Sequence, residues 1–233
     1  MSEFDKKYFK DLGLTIAFVF AIIALMLAIS INTFASGPGG TYEGQPIVEN
    51  IDNKDERRIE VDNIIDSLRS DIIVELDSYM DAIAPHNNVD PEVMFDMCIT
   101  YEIDPVFVLA QGQIESHYAT KGTAARTKSI FNVGAYDGHS AARQQRNGFG
   151  FKTSTESIEP FLILLTSDYL VNGKTTDDLL RNYVNHLGMR YASNPRYEQM
   201  LRSVCNKISN STSINSLMTE YNEWVEYREV MFG

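Results

Sequence analysis

The sequence predicts a mostly α-helical protein, and three observations carry that prediction. First, apolar residues recur at helical spacing: Val61, Ile65, Leu68, Ile72, Leu76, Tyr79 and Ile83 stand three or four apart among charges. Second, two segments open on Asp-Pro, at Asp90-Pro91 and Asp104-Pro105, an N-cap followed by the proline that suits a first helical position. Third, turn-rich stretches such as "APHNNVDP" separate the periodic segments. Residues 119–155 are the exception; they are polar and irregular, with a short β-hairpin expected around "FNVGAYDGHS" and "GFGFKT". The 233 residues, 44% hydrophobic, suffice for one core and its appendages.

Taken in order, residues 1–11 read as a short N-terminus, and 12–31 as a transmembrane signal anchor. "LGLTIAFVFAIIALMLAISI" carries no charge and matches the roughly 20 residues that span a bilayer core. Lys6, Lys7 and Lys10 precede it and no Lys or Arg follows before Lys54, so the N-terminus is expected in the cytoplasm and the rest outside. The competing reading is a cleaved signal peptide ending at Thr33-Phe34-Ala35; the apolar run is long for that role. Residues 32–55, rich in Gly, Pro and Asn, read as a flexible tether. The amphipathic helix follows, from about Glu56 to Ala84 within a segment bounded at 56–86. Its repeat is short of a strict heptad, which favours a helix laid along the domain over a dimerising stalk, though self-association through 56–84 stays open.

Residues 88–210 form the expected main domain. Helices are predicted from Pro91, from Pro105, across "STESIEPFLILLTSDYL" with Thr153 or Ser154 as cap, across "TTDDLLRNYVNHL" behind Thr175 or Thr176, and across "NPRYEQMLRSVCNKISN". Residues 211–233, with the single Trp224, make a closing helix.

The net charge of -12 argues against a nucleic-acid partner. Two cysteines, Cys98 and Cys205, are too few for a disulfide scaffold, and free buried thiols are favoured over a bridge. Neither CxxC nor HExxH occurs and the four histidines are scattered, so no metal or cofactor is expected. Against the acidic whole, residues 119–155 hold Lys121, Arg126, Lys128, Arg143, Arg146 and Lys152 with Asp137 alone, a local +5. That is either a solvated loop or a basic rim for anionic groups. His117 and His139 lie in the same region and read as polar surface residues.

The residue that points to chemistry is Glu115. It stands near the C-terminal end of the capped, mostly apolar helix "DPVFVLAQGQIESHYA". Burial disfavours the charged form of a carboxyl group and raises its pKa. Such a group keeps its proton to higher pH and can deliver it to a leaving oxygen, which glycoside hydrolysis requires.

The same stretch resembles the core motif of the glucosaminidase-domain family, the lysozyme-like peptidoglycan hydrolases of bacteria and phages (glycoside hydrolase family 73 and relatives). Ala110 and Gln111 match an AQ pair ahead of the ES pair, Glu115 and Ser116. "SIFNVGAYDG" resembles the family's N-x-F-N-x-G loop through Phe131, Asn132 and Gly134. "FKTSTESIEPFLILLTSDYL" resembles its next helix, and Tyr191, Ala192, Asn194, Pro195 and Tyr197 resemble its YA and N-P-x-Y tail. Four landmarks in order cover about 88–210.

The resemblance implies a lysozyme-like α domain with a small irregular or β lobe. It implies an endo-β-N-acetylglucosaminidase that cuts peptidoglycan on the reducing side of N-acetylglucosamine. Glu115 would be the general acid, and Tyr191 would sit by the sugar. Gln111, Ser116, Phe131, Asn132 and Tyr197 would bind substrate. The chain departs from the family at the second carboxylate. Asp137, in an Asp-Gly turn, is the only acid between Glu115 and Glu156 and stands as base or water-positioner. If it has no such role, either the substrate's acetamido oxygen is the nucleophile or the second group is weak or absent. Rival readings are a lytic transglycosylase on the same fold and a non-catalytic wall-binding or phage structural module. A bacterium remodelling its wall and a phage lysing its host would both use this layout.

Overall fold

The computed structural model describes residues 49–133 and 150–233. The apolar span 12–31, most of the tether, and Gly134, Asp137, His139, Arg143 and Arg146 lie outside the described residues. The compact unit is Ile51–Gly233. It is mostly helical, and among the described residues β structure is limited to one antiparallel bridge, Val184 with Arg190. Among them, too, no helix is long and apolar enough to cross a membrane.

Helix α1 runs Glu49–Ile83. It starts earlier than the sequence suggested, so residues 49–55, read as tether, are helical. Its second half buries Ile72, Leu76, Tyr79 and Met80 in the main core. It therefore lies along the domain, as the broken heptad favoured. Arg69 joins α1 to α2 (Pro91–Thr100) through Glu92 and Asp96, each at 2.8 Å, and its guanidinium lies over Phe95. The Tyr79 hydroxyl donates to Gln113 Oε1 at 2.6 Å, joining α1 to α3 (Pro105–Ser116).

Both Asp-Pro starts behave as read. Asp90 accepts from the amides of Glu92 and Val93, and Asp104 from that of Val106. Helix α3 runs through the centre with Val106 to Gln111 all buried, and packs most extensively on α7 (Tyr197–Ser211). A one-turn α4 (Ala124–Thr127) follows. The expected hairpin finds no strand in its described flanks, 131–133 and 150–154; Phe151 instead ties its amide to the Thr127 carbonyl at 2.9 Å.

The segment from Thr155 starts as a 3-10 turn, with Thr153 Oγ1 accepting from the Glu156 amide. It continues as α5 (Ile158–Leu164) and closes in a π turn over Leu165–Tyr169. The helix expected over "TTDDLLRNYVNHL" is cut short: α6 covers Thr176–Arg181 only. Tyr183 and Asn185 turn inward and are buried: the Tyr183 ring lies beside Phe107 of α3 and Tyr197 of α7, and Asn185 is held by local turn bonds. Helix α8 (Ile214–Phe232) runs back along α1. Glu75 takes the Ser213 amide, Tyr221 meets Phe95 edge-on, and Arg228 pairs with Asp62. Cys98 and Cys205 are free and buried. Burial pushes the Cys205 thiol up to about 12 and the Cys98 thiol higher still.

Candidate active site

Helix α3 ends in an unusual turn. His117, Tyr118 and Ala119, none of them glycine, have φ of 48°, 55° and 61° in succession. Left-handed backbone costs an L-residue roughly 1–2 kcal/mol, so contacts must hold it. Tyr118 is fully buried and its hydroxyl donates to the Leu109 carbonyl at 3.0 Å. Ser116 Oγ accepts from the Ala119 amide at 2.7 Å and donates to the Ile130 carbonyl at 2.7 Å. The turn separates the ES pair: Ser116 faces inward and Glu115 stays half-buried at the edge of the core.

The Glu115 carboxyl meets two other parts of the fold. Its Oε1 accepts a short hydrogen bond from the Tyr197 hydroxyl. Tyr197 in turn accepts from Gln111 Nε2 at 2.8 Å. Gln111 and Glu115 are four residues apart, hence on one face of α3. Asn132 donates to the Glu115 carbonyl at 3.2 Å, and its amide also favours the ionised carboxyl. Burial dominates and pushes the Glu115 pKa up, against the smaller opposing pulls of Tyr197 and Asn132.

Tyrosines form the wall around this carboxyl. Tyr183 and Tyr191 stack with centroids 4.5 Å apart, and Tyr197 lies 5.6 Å from Tyr191. Tyr169 meets Tyr183 and Tyr191 edge-on at 5.1 and 5.7 Å. The Tyr191 hydroxyl donates to the Phe131 carbonyl at 3.3 Å. Burial raises the phenol pKa values of Tyr183, Tyr191 and Tyr197, and the neighbouring Glu115 charge raises them further. These rings therefore stay neutral; Tyr183 and Tyr197 are buried behind the site, and half-buried Tyr191 is the ring of the three with a surface left for a ligand.

Local sequence explains how the rings are placed. Asn194 Oδ1 accepts from the Arg196 amide and its carbonyl from that of Tyr197, so the N-P-x-Y turn puts Tyr197 in the first turn of α7. Glu198, one residue on, accepts from the Tyr183 amide at 3.2 Å and holds Arg190 Nη2 at 2.7 and 2.8 Å. Asn185 closes the turn by accepting from the amides of Leu187 and Met189. Glu198 thus anchors both ends of the segment that carries Tyr183 and Tyr191.

Of the residues expected at the site, Glu115, Gln111, Asn132, Tyr191 and Tyr197 come together. Ser116 and Phe131, expected to bind substrate, are corrected: they are 3% and 1% exposed. The Ser116 hydroxyl is spent inside the fold, and the Phe131 ring stacks on Phe161 at 3.9 Å. Both hold the loop that presents Asn132. Gln111 is also fully buried and touches Tyr197, not solvent. Tyr169, Tyr183, Asn185 and Glu198 were missed. A helical reading of 175–187 hid Tyr183 and Asn185, and nothing local marks Glu198 as an anchor. Of the basic residues, Lys121, Arg126, Lys128 and Lys152 are exposed, with the Lys128 ammonium on the Lys152 carbonyl. Among the described residues no three His, Cys, Asp or Glu gather in a way that holds a metal ion.

Comparison with protein-family models, with curated proteins and with solved structures finds no match.

Proposed function

We propose that residues 88–210 are a lysozyme-like glycosidase domain that cleaves the peptidoglycan strand at N-acetylglucosamine, with Glu115 as general acid. The observation that carries the reading is the state of Glu115: a half-buried carboxyl with a raised pKa, held by Tyr197 and Asn132 beside a wall of neutral tyrosines. A general acid needs a proton at working pH and a fixed direction in which to give it. The motifs from Ala110 to Tyr197 supply the substrate class. Tyr191, stacked on Tyr183, has a face and hydroxyl suited to the sugar at the cleavage point. On this reading the chain is anchored by residues 12–31, its domain lies outside the cytoplasm, and the exposed Lys121 and Lys152 meet anionic groups of the wall.

One observation favours a second reading. Among the described residues, the side chains that act on the Glu115 carboxyl are Tyr197 and Asn132, not a second carboxylate. A lytic transglycosylase works with one Glu. The residue expected as second acid, Asp137, lies outside the described residues.

The test is digestion of purified peptidoglycan by the full chain and by Glu115→Gln, with mass spectrometry of the fragments. New reducing N-acetylglucosamine ends, absent with the variant, are the expected result. Anhydro-muramyl ends would reassign the reaction to a transglycosylase. Binding without release of fragments would refute the enzyme and leave a wall-binding module.

A further inference from the structure

We infer that Gln111, buried beneath the site, is a positioning residue that acts through Tyr197 to decide which oxygen of Glu115 carries the reactive proton. The inference rests on Glu115 being the acid and goes beyond it.

The geometry is a relay in one direction. Gln111 Nε2 can only donate, and it donates to the Tyr197 hydroxyl at 2.8 Å. A phenol that accepts there still has one proton to give, and it gives that proton to Glu115 Oε1. Oε1 is thereby occupied as an acceptor, and a carboxylic acid in this setting keeps its proton on Oε2. Gln111 is 0% exposed and Tyr197 5%, so water does not compete for either group. No substrate reaches Gln111. The Gln111 amide also acts on the Tyr183 and Tyr191 hydroxyls, and its bond to Tyr197 is the one that leads on to the carboxyl.

In the reaction the glycosidic C–O bond breaks, its electron pair stays on the leaving oxygen, and the electron-poor anomeric carbon bonds to water or to the substrate's acetamido oxygen. The leaving oxygen takes the proton from Oε2, and the O–H pair remains on Glu115 as a carboxylate. Part of the new charge falls on Oε1, where Tyr197 already donates. The relay therefore also stabilises the product form of the acid. The titratable groups that face Glu115 among the described residues are Tyr197 from α7 and Tyr183 and Tyr191 from the segment before it. Asn132 faces it from the loop after α4.

The test reads ionisation rather than turnover. The Glu115 carboxyl is titrated in the full chain by infrared difference spectroscopy, with Glu115→Gln as the blank, in wild type, Tyr197→Phe, Gln111→Leu and the double variant. Losing a donor to the carboxylate raises its pKa, so Tyr197→Phe is expected to move the midpoint up. Gln111→Leu is expected to move it the same way by less. The double variant should match Tyr197→Phe, because the path from Gln111 to the Glu115 carboxyl runs through that hydroxyl. An unchanged midpoint in Gln111→Leu overturns the inference, as does a shift that adds fully to that of Tyr197→Phe. A downward shift in Tyr197→Phe also overturns it, since the relay would then run from protonated Glu115 through Tyr197 to Gln111. Should Gln111→Leu fail to fold, Gln111→Met, which keeps the length of the side chain without its donor, takes its place and is read in the same way. Midpoint shifts without any glycan cleavage would discard the proposed activity and keep the relay; cleavage without shifts would do the reverse.

Discussion

Gly112→Ala sets two magnitudes against each other on helix α3. A glycine inside a helix is worth about 1 kcal/mol less than alanine by propensity, which predicts stabilisation. The surroundings predict the opposite. A Cβ at Gly112 would stand 3.0 Å from Ile130 Cγ2 and 3.1 Å from Tyr118 Cδ1 and Cε1. Neither neighbour is free to yield. Tyr118 is fully buried, hydrogen-bonded to Leu109, and set in left-handed backbone. Ile130 is fully buried, with its amide on Ser157 Oγ at 2.9 Å and its carbonyl on Ser116 Oγ. Overpacking of a well-filled core costs about 1–3 kcal/mol. After the helix gain, a net loss of about 1 kcal/mol is expected, or roughly 2–4 °C in Tm for a domain of this size. Displacing Ile130 also moves Asn132 two residues on, so the proposed activity on peptidoglycan should fall by more than the small loss of folded protein explains. Thermal unfolding followed by circular dichroism, with digestion assays at a temperature where both proteins are folded, measures both effects. A variant with a raised Tm and full activity would refute the tight packing of Tyr118 and Ile130 on α3.

Three further outcomes follow from the same geometry. The Glu115 pKa is raised in the fold, so its protonated form favours the native state; that contribution is complete below the ordinary value of about 4.5 and is lost as pH rises through the raised value. The Tm of Glu115→Gln relative to wild type should therefore climb from acid to neutral pH and then level off; a difference that shrinks over that range refutes the burial argument. Glu198→Ala removes the acceptor for the Tyr183 amide and Arg190, costing about 1–3 kcal/mol, and should weaken the near-ultraviolet tyrosine dichroism from Tyr183 and Tyr191; an unaltered spectrum would show that Glu198 does not hold that segment. Both thiols are buried and their pKa values raised, so Ellman's reagent should react slowly with the native chain and release two equivalents in denaturant; fast native reaction would refute their burial.

Much of the local structure was readable because its causes are local. Asp90-Pro91 and Asp104-Pro105 start helices by satisfying nearby amides and by pre-setting φ, and no distant contact is needed. The break in the heptad of α1 announced a helix that lies on a domain. The apolar run of α3 with Glu115 at its end marked a carboxyl whose ionisation burial would resist. The errors came where distant partners outweigh propensity. "LLRNYVNHL" has a helical pattern, yet Tyr183 stacks on Tyr191 and its amide goes to Glu198, and these leave the helix after Arg181.

The sequence by itself determined the helical class, the two proline-capped helices at the centre, and Glu115 as the residue to watch, since spacing, caps and burial of a carboxyl act over a few residues. Only the tertiary structure decided which groups meet that carboxyl. Tyr197 lies 82 residues away from Glu115 in the chain, and the contact exists because α7 packs on α3. The same packing turned Gln111, Ser116 and Phe131 from expected substrate contacts into parts that hold the site. A side chain's role depends on whether it faces water or another helix, and for these three residues that was set by elements far along the chain.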